Sequence, residues 1–248
     1  MKKLFVFFIC SFVILVFASC ENKRHKPKSL KKNEQTPKIE NENSSNDDKI
    51  SIKEIKDFTP DIRMLSGKEI FDRYNSAVFM IVSQNMDQIS QGSGFFISEK
   101  GIGVSNQHVL NKDNLAKSKV ILSNNEVYGI ERIVYEDKKD DLVIFVIDDA
   151  YKEFNFLPMT SNEINVGDKV YAISSPLGLR NTLSSGEISQ FRGENLIQIS
   201  VPIDHGSSGG ALINQYGEVI GVTTAGRDDS GANLNFAINL NKVLDKIL

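Results

Sequence analysis

The sequence predicts an all-β protein built from two six-stranded antiparallel β-barrels, with a short helix at each end of the folded region. Three observations carry this. From Ala77 to Ile238 the chain breaks into short runs rich in Val, Ile, Phe, Tyr and Thr, separated by turns rich in Gly, Asn and Asp. The runs fall into two sets of six, divided by the linker Asp149 to Gly167. Almost no helical period lies between them, so neither set has the crossovers a parallel sheet needs.

Met1 to Ser19 lies outside that fold. Lys2 and Lys3 precede the apolar run Leu4 to Ala18, broken only by Ser11, which is the layout of an export signal and too short for a spanning helix. The run ends at Phe17-Ala18-Ser19-Cys20, which resembles the lipobox of bacterial lipoproteins, with Phe17 where Leu is usual. The expectation is a signal peptide over 1–19, a lipidated Cys20 as new N-terminus, and a membrane anchor in the bacterial cell envelope, facing periplasm or exterior. The sequence holds two cysteines, Cys10 in the signal and Cys20, so the exported domain has no disulfide and relies on core packing. Residues 20–60 read as the lipidated cysteine and a disordered tether, rich in Lys, Asn, Glu and Ser without apolar period.

In the remainder, 61–248, Ser66-Gly67-Lys68-Glu69 is a capping box that predicts a helix over Gly67 to Tyr74. Barrel one, about 75–150, takes strands at Ala77–Gln84, Gln91–Ser98, Gly101–Asn106, Lys117–Asn124, Val127–Asp137 and Leu142–Asp148. Barrel two, about 155–240, takes Asp168–Ser175, Asn181–Phe191, Glu194–Val201, Gly210–Asn214, Glu218–Ala225 and Ala232–Ile238. The spacing Leu240, Val243, Leu244, Ile247, Leu248 predicts a terminal amphipathic helix.

Bulk properties exclude some functions. The chain is 40% hydrophobic and 25% charged with net charge −3, which is ordinary globular composition with no push toward nucleic acid. Without the signal lysines the balance is 27 basic against 32 acidic residues. There is no Trp, no basic-aromatic patch and no phosphate-binding Gly loop, and no metal or cofactor is implied.

Chemistry concentrates at Asp204-His205-Gly206-Ser207-Ser208-Gly209-Gly210. A nucleophilic serine needs a tight turn with backbone N–H groups free to face a substrate carbonyl, and glycines permit that approach. Ser208 is the candidate nucleophile, and the N–H groups of Gly206 and Ser208 the candidate oxyanion hole. A Gly/Ser loop alone is more often only a loop, so a base and an acid must be found elsewhere. Of three histidines, His25 is in the tether and His205 is too close to Ser208 in sequence. His108, at a strand end, remains. Asp140 and Asp141 both precede the apolar strand Leu142 to Ile147; Asp141 abuts it and is chosen. The chain order His108, Asp141, Ser208 is that of chymotrypsin-type proteases.

With those residues in place the chain resembles the HtrA (DegP/DegS-like) group of trypsin-like serine proteases over about Ile70 to Leu248. The motifs are Gly92-Ser93-Gly94-Phe95-Phe96-Ile97, Ser105-Asn106-Gln107-His108-Val109, Asp141-Leu142-Val143-Ile144, Ser175-Pro176-Leu177-Gly178-Leu179, Ser185-Gly186-Glu187-Ile188 and Asn235-Phe236-Ala237-Ile238. Three departures stand out: Ser207 replaces the usual Asn, the loop Phe191 to Asn195 is short, and no C-terminal PDZ domain is expected after Leu248. The resemblance implies the chymotrypsin/trypsin-like two-barrel fold and a serine endopeptidase acting on polypeptides. It also implies a homotrimer through N-terminal aromatics, for which Phe58, Phe71 and Tyr74 are candidates, though they suit a core equally. It places the substrate pocket floor at Pro202 and the wall at Val222, Thr223, Thr224 and Ala225. An uncharged pocket predicts cleavage after small aliphatic residues. The alternatives are a non-proteolytic chaperone or peptide-binding module on the same fold, against which a complete triad argues, and an ester hydrolase, against which the two-barrel pattern argues.

Overall fold

The computed structural model describes residues 63–85, 88–149, 152–160, 162–175, 181–227 and 234–241. The proposed signal, Cys20, the tether and Phe58 lie outside them, as does the terminal helix beyond Asn241.

Helix α1, Gly67–Tyr74, forms where its capping box predicts. The Ser66 hydroxyl accepts the Glu69 N–H at 3.3 Å, and the Glu69 carboxylate accepts the Ser66 N–H at 2.8 Å, so two orphan amides of the first turn are satisfied. The helix buries Ile70 and Tyr74. Tyr74 is a core residue, and Phe71, half-buried, packs against the same cluster.

Thirteen strands follow among the described residues. In the first sheet they are β1 (Val78–Asn85), β2 (Gln88–Phe96), β3 (Ile102–Ser105), β4 (Ser118–Leu122), β5 (Val127–Tyr128), β6 (Ile130–Asp137) and β7 (Leu142–Ile147). In the second they are β8 (Lys169–Ser174), β9 (Thr182–Arg192), β10 (Leu196–Ile199), β11 (Ala211–Asn214), β12 (Val219–Arg227) and β13 (Leu234–Asn239). The second set closes into a six-stranded barrel in the order β10-β13-β12-β11-β8-β9. The first runs β5-β4-β1-β2-β3-β7-β6.

The first sheet has seven strands rather than six because the predicted strand Val127–Asp137 divides at Gly129. Its two halves pair with different neighbours: Tyr128 opposes Val120 on β4, and Ile130 opposes Ile147 on β7. Residues two apart in sequence therefore sit at opposite edges of the pairing order, which requires the sheet to curl until its edges meet. One strand serving both edges leaves little of either edge open.

Three apolar clusters hold this arrangement. One fills the first sheet around Phe79, Phe96 and Phe145, and one fills the closed barrel around Val170, Ile197, Leu212 and Ile220. The third contains Val78, Phe95, Val104 and Leu142 from the first sheet with Tyr171, Ile173, Ala211 and Ile213 from the second. It welds the two together. The linker adds backbone bonds to both: Leu157 N–H donates to Phe96 O at 2.9 Å, and Val219 N–H donates to Pro158 O at 2.8 Å.

Candidate active site

His108 lies just past β3, in a turn where the N–H groups of Val109 and Leu110 both donate to Asn106 O. Val109 and Leu110 are buried in the first-sheet core, so they pin the turn while the His108 side chain stays 49% exposed. A histidine followed by two apolar anchors is thus held at the rim of the core, not inside it.

Asp141 ends the turn between β6 and β7. Asp137 Oδ1 accepts the N–H groups of Lys139 at 2.7 Å and Asp140 at 3.0 Å, and Asp141 then takes φ +50. This is the left-handed region, which Asp tolerates better than most residues. The turn separates the two candidate acids. Asp141 receives His108 Nδ1 at 2.8 Å on Oδ2 and 3.0 Å on Oδ1, and the His108 backbone N–H at 3.0 Å on Oδ1. Its main-chain carbonyl accepts Asn106 Nδ2 at 3.1 Å and Gln107 N–H at 3.2 Å. Asp140 points elsewhere and accepts Asn195 Nδ2 at 2.6 Å.

The serine turn is held just as closely. Gly206 and Gly209 both adopt φ +89, which glycine enters without a Cβ penalty. A Cβ on Gly209 would also lie 2.0 Å from Ser93 O. Ser207 N–H donates to Asp204 O, Gly209 N–H to Thr223 O and Gly210 N–H to Ser207 O. Among the described residues the N–H groups of Gly206 and Ser208 donate to no internal acceptor. These are the two amides that the sequence singled out as the oxyanion hole. Ser208 itself is 7% exposed, and its carbonyl accepts the Ser93 N–H at 2.7 Å.

The strand β12 brings the two halves together through adjacent residues. Thr223 Oγ1 donates to Ser207 O at 2.7 Å, and Thr224 Oγ1 donates to Asp141 Oδ2 at 3.5 Å. No hydrogen bond joins Ser208 Oγ to His108 among the described residues. In substrate-free enzymes that bond is often long and tightens on binding.

Of the residues expected at the substrate pocket, Val222 and Thr223 are 0% exposed: Val222 packs in the inter-sheet cluster, and Thr223 spends its hydroxyl on the serine turn. Thr224 is half-buried and faces the acid. Pro202 is exposed, and the Ala225 side chain lies outside the described residues. A cleft of about 430 Å³ does open beside Asp141 and Thr224, walled on the other side by the β9–β10 turn from Arg192 to Leu196. Sequence reasoning missed the roles of Asn106, Thr223 and Thr224 in bracing the site. It also passed over Ser93, taken only as part of a motif. Among the described residues no group of three His, Cys, Asp or Glu side chains is placed to hold a metal, and no helix is long and apolar enough to cross a membrane.

The chain is similar to known proteins. Residues 92–222 match the trypsin-like peptidase domain model. A probable periplasmic DegP-like serine endoprotease of Rhizobium meliloti (strain 1021) is 35% identical over 157 residues, covering 60% of this chain and 30% of its own. A probable do-like serine protease of Buchnera aphidicola is 36% identical over 163 residues, covering 61% of this chain and 34% of its own. The chain therefore spans about a third of the length of these curated relatives. The crystal structure of a serine endoprotease from Yersinia pestis superposes with a TM-score of 0.65 at 29% identity, over 74% of this chain and 66% of that one.

Proposed function

The chain belongs to the trypsin-like peptidase family, in its HtrA (DegP-like) branch, and from that premise we propose that it is a serine endopeptidase working through His108, Asp141 and Ser208. One observation carries the reading: a histidine bound at Nδ1 by a carboxylate, with a serine turn whose Gly206 and Ser208 amides have no acceptor among the described residues. Buried or near-buried N–H groups seldom go unpaired without a use. A peptide carbonyl turning into an oxyanion supplies the acceptor these two lack.

The steps follow from the atoms. Asp141 accepts the proton-bearing Nδ1, which leaves Nε2 unprotonated and basic. Nε2 takes the Ser208 hydroxyl proton as Oγ attacks the peptide carbonyl. The oxygen becomes an anion held by the N–H groups of Gly206 and Ser208. His108 then returns the proton to the leaving amine, and water repeats the sequence on the acyl-enzyme. Asp141 keeps its charge throughout and stabilises the imidazolium.

The substrates in this reading are unfolded or extended polypeptides cut after small aliphatic residues. Support for the preference has narrowed to Pro202, an exposed position that offers no carboxylate to a basic residue and no cation to an acidic one. Export and a lipid anchor at Cys20 belong to the same proposal, supported by the signal-like N-terminus and by the periplasmic designation of the Rhizobium relative. A homotrimer would have to use surfaces other than Tyr74, which is buried within one chain.

The test is to incubate the protein and its Ser208→Ala variant with casein and to identify the new termini by mass spectrometry. The wild type should cut after Val, Ala, Ile, Leu or Thr, and the variant should not cut. Equal cleavage by the variant would remove Ser208 from the mechanism; cuts mainly after Lys, Arg or Glu would refute the pocket.

A further inference from the structure

Ser93 sits in β2 of the first sheet, opposite Met80 on β1, and its side chain is completely buried. Its hydroxyl donates to Gly206 O at 2.7 Å, across 113 residues of sequence. The same oxygen accepts the Ser175 N–H at 2.9 Å. Its main-chain N–H donates to Ser208 O at 2.7 Å, and its main-chain O accepts the Ser105 hydroxyl at 2.7 Å. One residue of the first sheet therefore grips the carbonyls on both sides of Ser207 in the second.

Taking the serine endopeptidase reading as its basis, we infer that the Ser93 hydroxyl is a positioning group for the oxyanion hole. Gly206 has no side chain to restrict its rotation, and its own N–H has no acceptor among the described residues to hold it. What orients that N–H is the peptide plane on the other side of the same α-carbon. That plane is fixed at two points: Ser93 Oγ–H on Gly206 O, and Ser207 N–H on Asp204 O at 2.9 Å. Together with φ at +89, this sets the direction of the Gly206 N–H. Removing the hydroxyl frees one of the two points and leaves Ser175 N–H without its acceptor.

The same hydroxyl links the hole to a second element. Ser175 Oγ donates to Asn181 Oδ1 at 2.6 Å. Asn181 Nδ2 donates to Asn75 O at 2.7 Å and to Val78 O at 2.8 Å. A continuous chain of hydrogen bonds thus runs from the start of β1, through Asn181, Ser175 and Ser93, to Gly206.

The role has a kinetic signature. The Gly206 N–H meets an oxyanion that exists only in the transition state, so its misplacement lowers kcat and leaves KM nearly unchanged. Losing a direct oxyanion donor costs about 10²–10³ in kcat, and Ser93 acts one bond further away, so Ser93→Ala should cost about 10–100-fold. The experiment compares full-length wild type, Ser93→Ala and Ser208→Ala, purified in detergent, on fluorescently labelled casein. A peptide boronate, whose anionic oxygen occupies the hole, provides a second readout. Ser93→Ala should lose kcat at constant KM and bind the boronate more weakly by a similar factor. An unchanged kcat, or a raised KM at full kcat, overturns the inference. If Ser93→Ala fails to fold, Ser93→Cys, which keeps the shape of the side chain with a larger atom and a much weaker donor, is read in the same way. Full activity in Ser208→Ala would instead overturn the triad reading, and this inference with it.

Discussion

Replacing Asp141 by Asn tests the acid more cleanly than any larger change, because Asn also tolerates φ +50 and the backbone need not move. The structure dictates how the amide must sit. Oδ1 accepts the His108 backbone N–H at 3.0 Å, so the amide oxygen has to stay there. The NH₂ group then occupies the Oδ2 place, 2.8 Å from His108 Nδ1. Two donors cannot face one another, so Nδ1 gives up its proton and the imidazole carries it on Nε2 instead. In that tautomer the histidine cannot receive the Ser208 proton. The same exchange in a trypsin-type triad costs about 10⁴ in turnover, equivalent to about 5.4 kcal/mol of transition-state stabilisation. Initial rates on casein, with circular dichroism to show that the variant is folded, measure it. Asp140→Asn is the matched control: its oxygen still accepts from Asn195, so turnover should stay within a few-fold of wild type. A folded Asp141→Asn protein with more than a tenth of wild-type turnover would refute this account of the acid. A large loss in Asp140→Asn alone would show that the wrong one of the pair had been chosen.

Gly209→Ala should destabilise by about 2–5 kcal/mol, from a left-handed φ on a residue with Cβ and from overpacking; thermal melting reads it, and an unchanged melting point would contradict the 2.0 Å approach to Ser93 O. The Glu126 carboxyl is held at about 2, mainly by its bond to Lys152 and then by Asn124 and Tyr128. That contribution is complete above the ordinary value of 4.5 and disappears as pH falls through about 2, so Glu126→Gln should melt below wild type at pH 6 and converge with it in acid. Cys20→Ser should leave the protein unprocessed or released from membranes; failure of a fatty-acid analogue to label the wild type would refute the anchor.

How far the sequence could be read depended on how local each determinant is. The helix Gly67–Tyr74 was legible to the residue because a capping box lies within four consecutive positions. The strands were legible from their β-branched and aromatic runs. Their pairing was not: that Val127–Asp137 serves both edges of one sheet depends on Gly129 and on partners far along the chain. The histidine, acid and serine each sit in a short motif, but which of Asp140 and Asp141 meets His108 is visible only in the hydrogen bonds around the φ +50 turn. The pocket wall is harder to read, because successive residues of a strand point to opposite faces and Val222 and Thr223 are both enclosed. Ser93 was out of reach because its meaning is a contact across 113 residues.

The polar bonds between the two sheets do something the shared apolar core cannot. Apolar burial is non-directional, so the inter-sheet cluster favours contact without fixing the relative position of the sheets to tenths of an ångström. Catalysis does need that precision, since a misplacement of about 1 Å can cost 10²-fold. The histidine and acid belong to the first sheet and the serine turn to the second, so their alignment is a property of the joint. The directional bonds of the joint include four: Ser93 on the serine turn, Gln91 Nε2 on Ser175 O, Thr224 on Asp141 and Asn195 on Asp140. A typical hydrogen bond contributes only about 1 kcal/mol net to stability, so these four are a small part of what holds the sheets together. Their effect lies in geometry: each is satisfied only in one placement of the sheets, and that placement sets Asp141, His108 and the proposed oxyanion amides of Gly206 and Ser208 in a single frame.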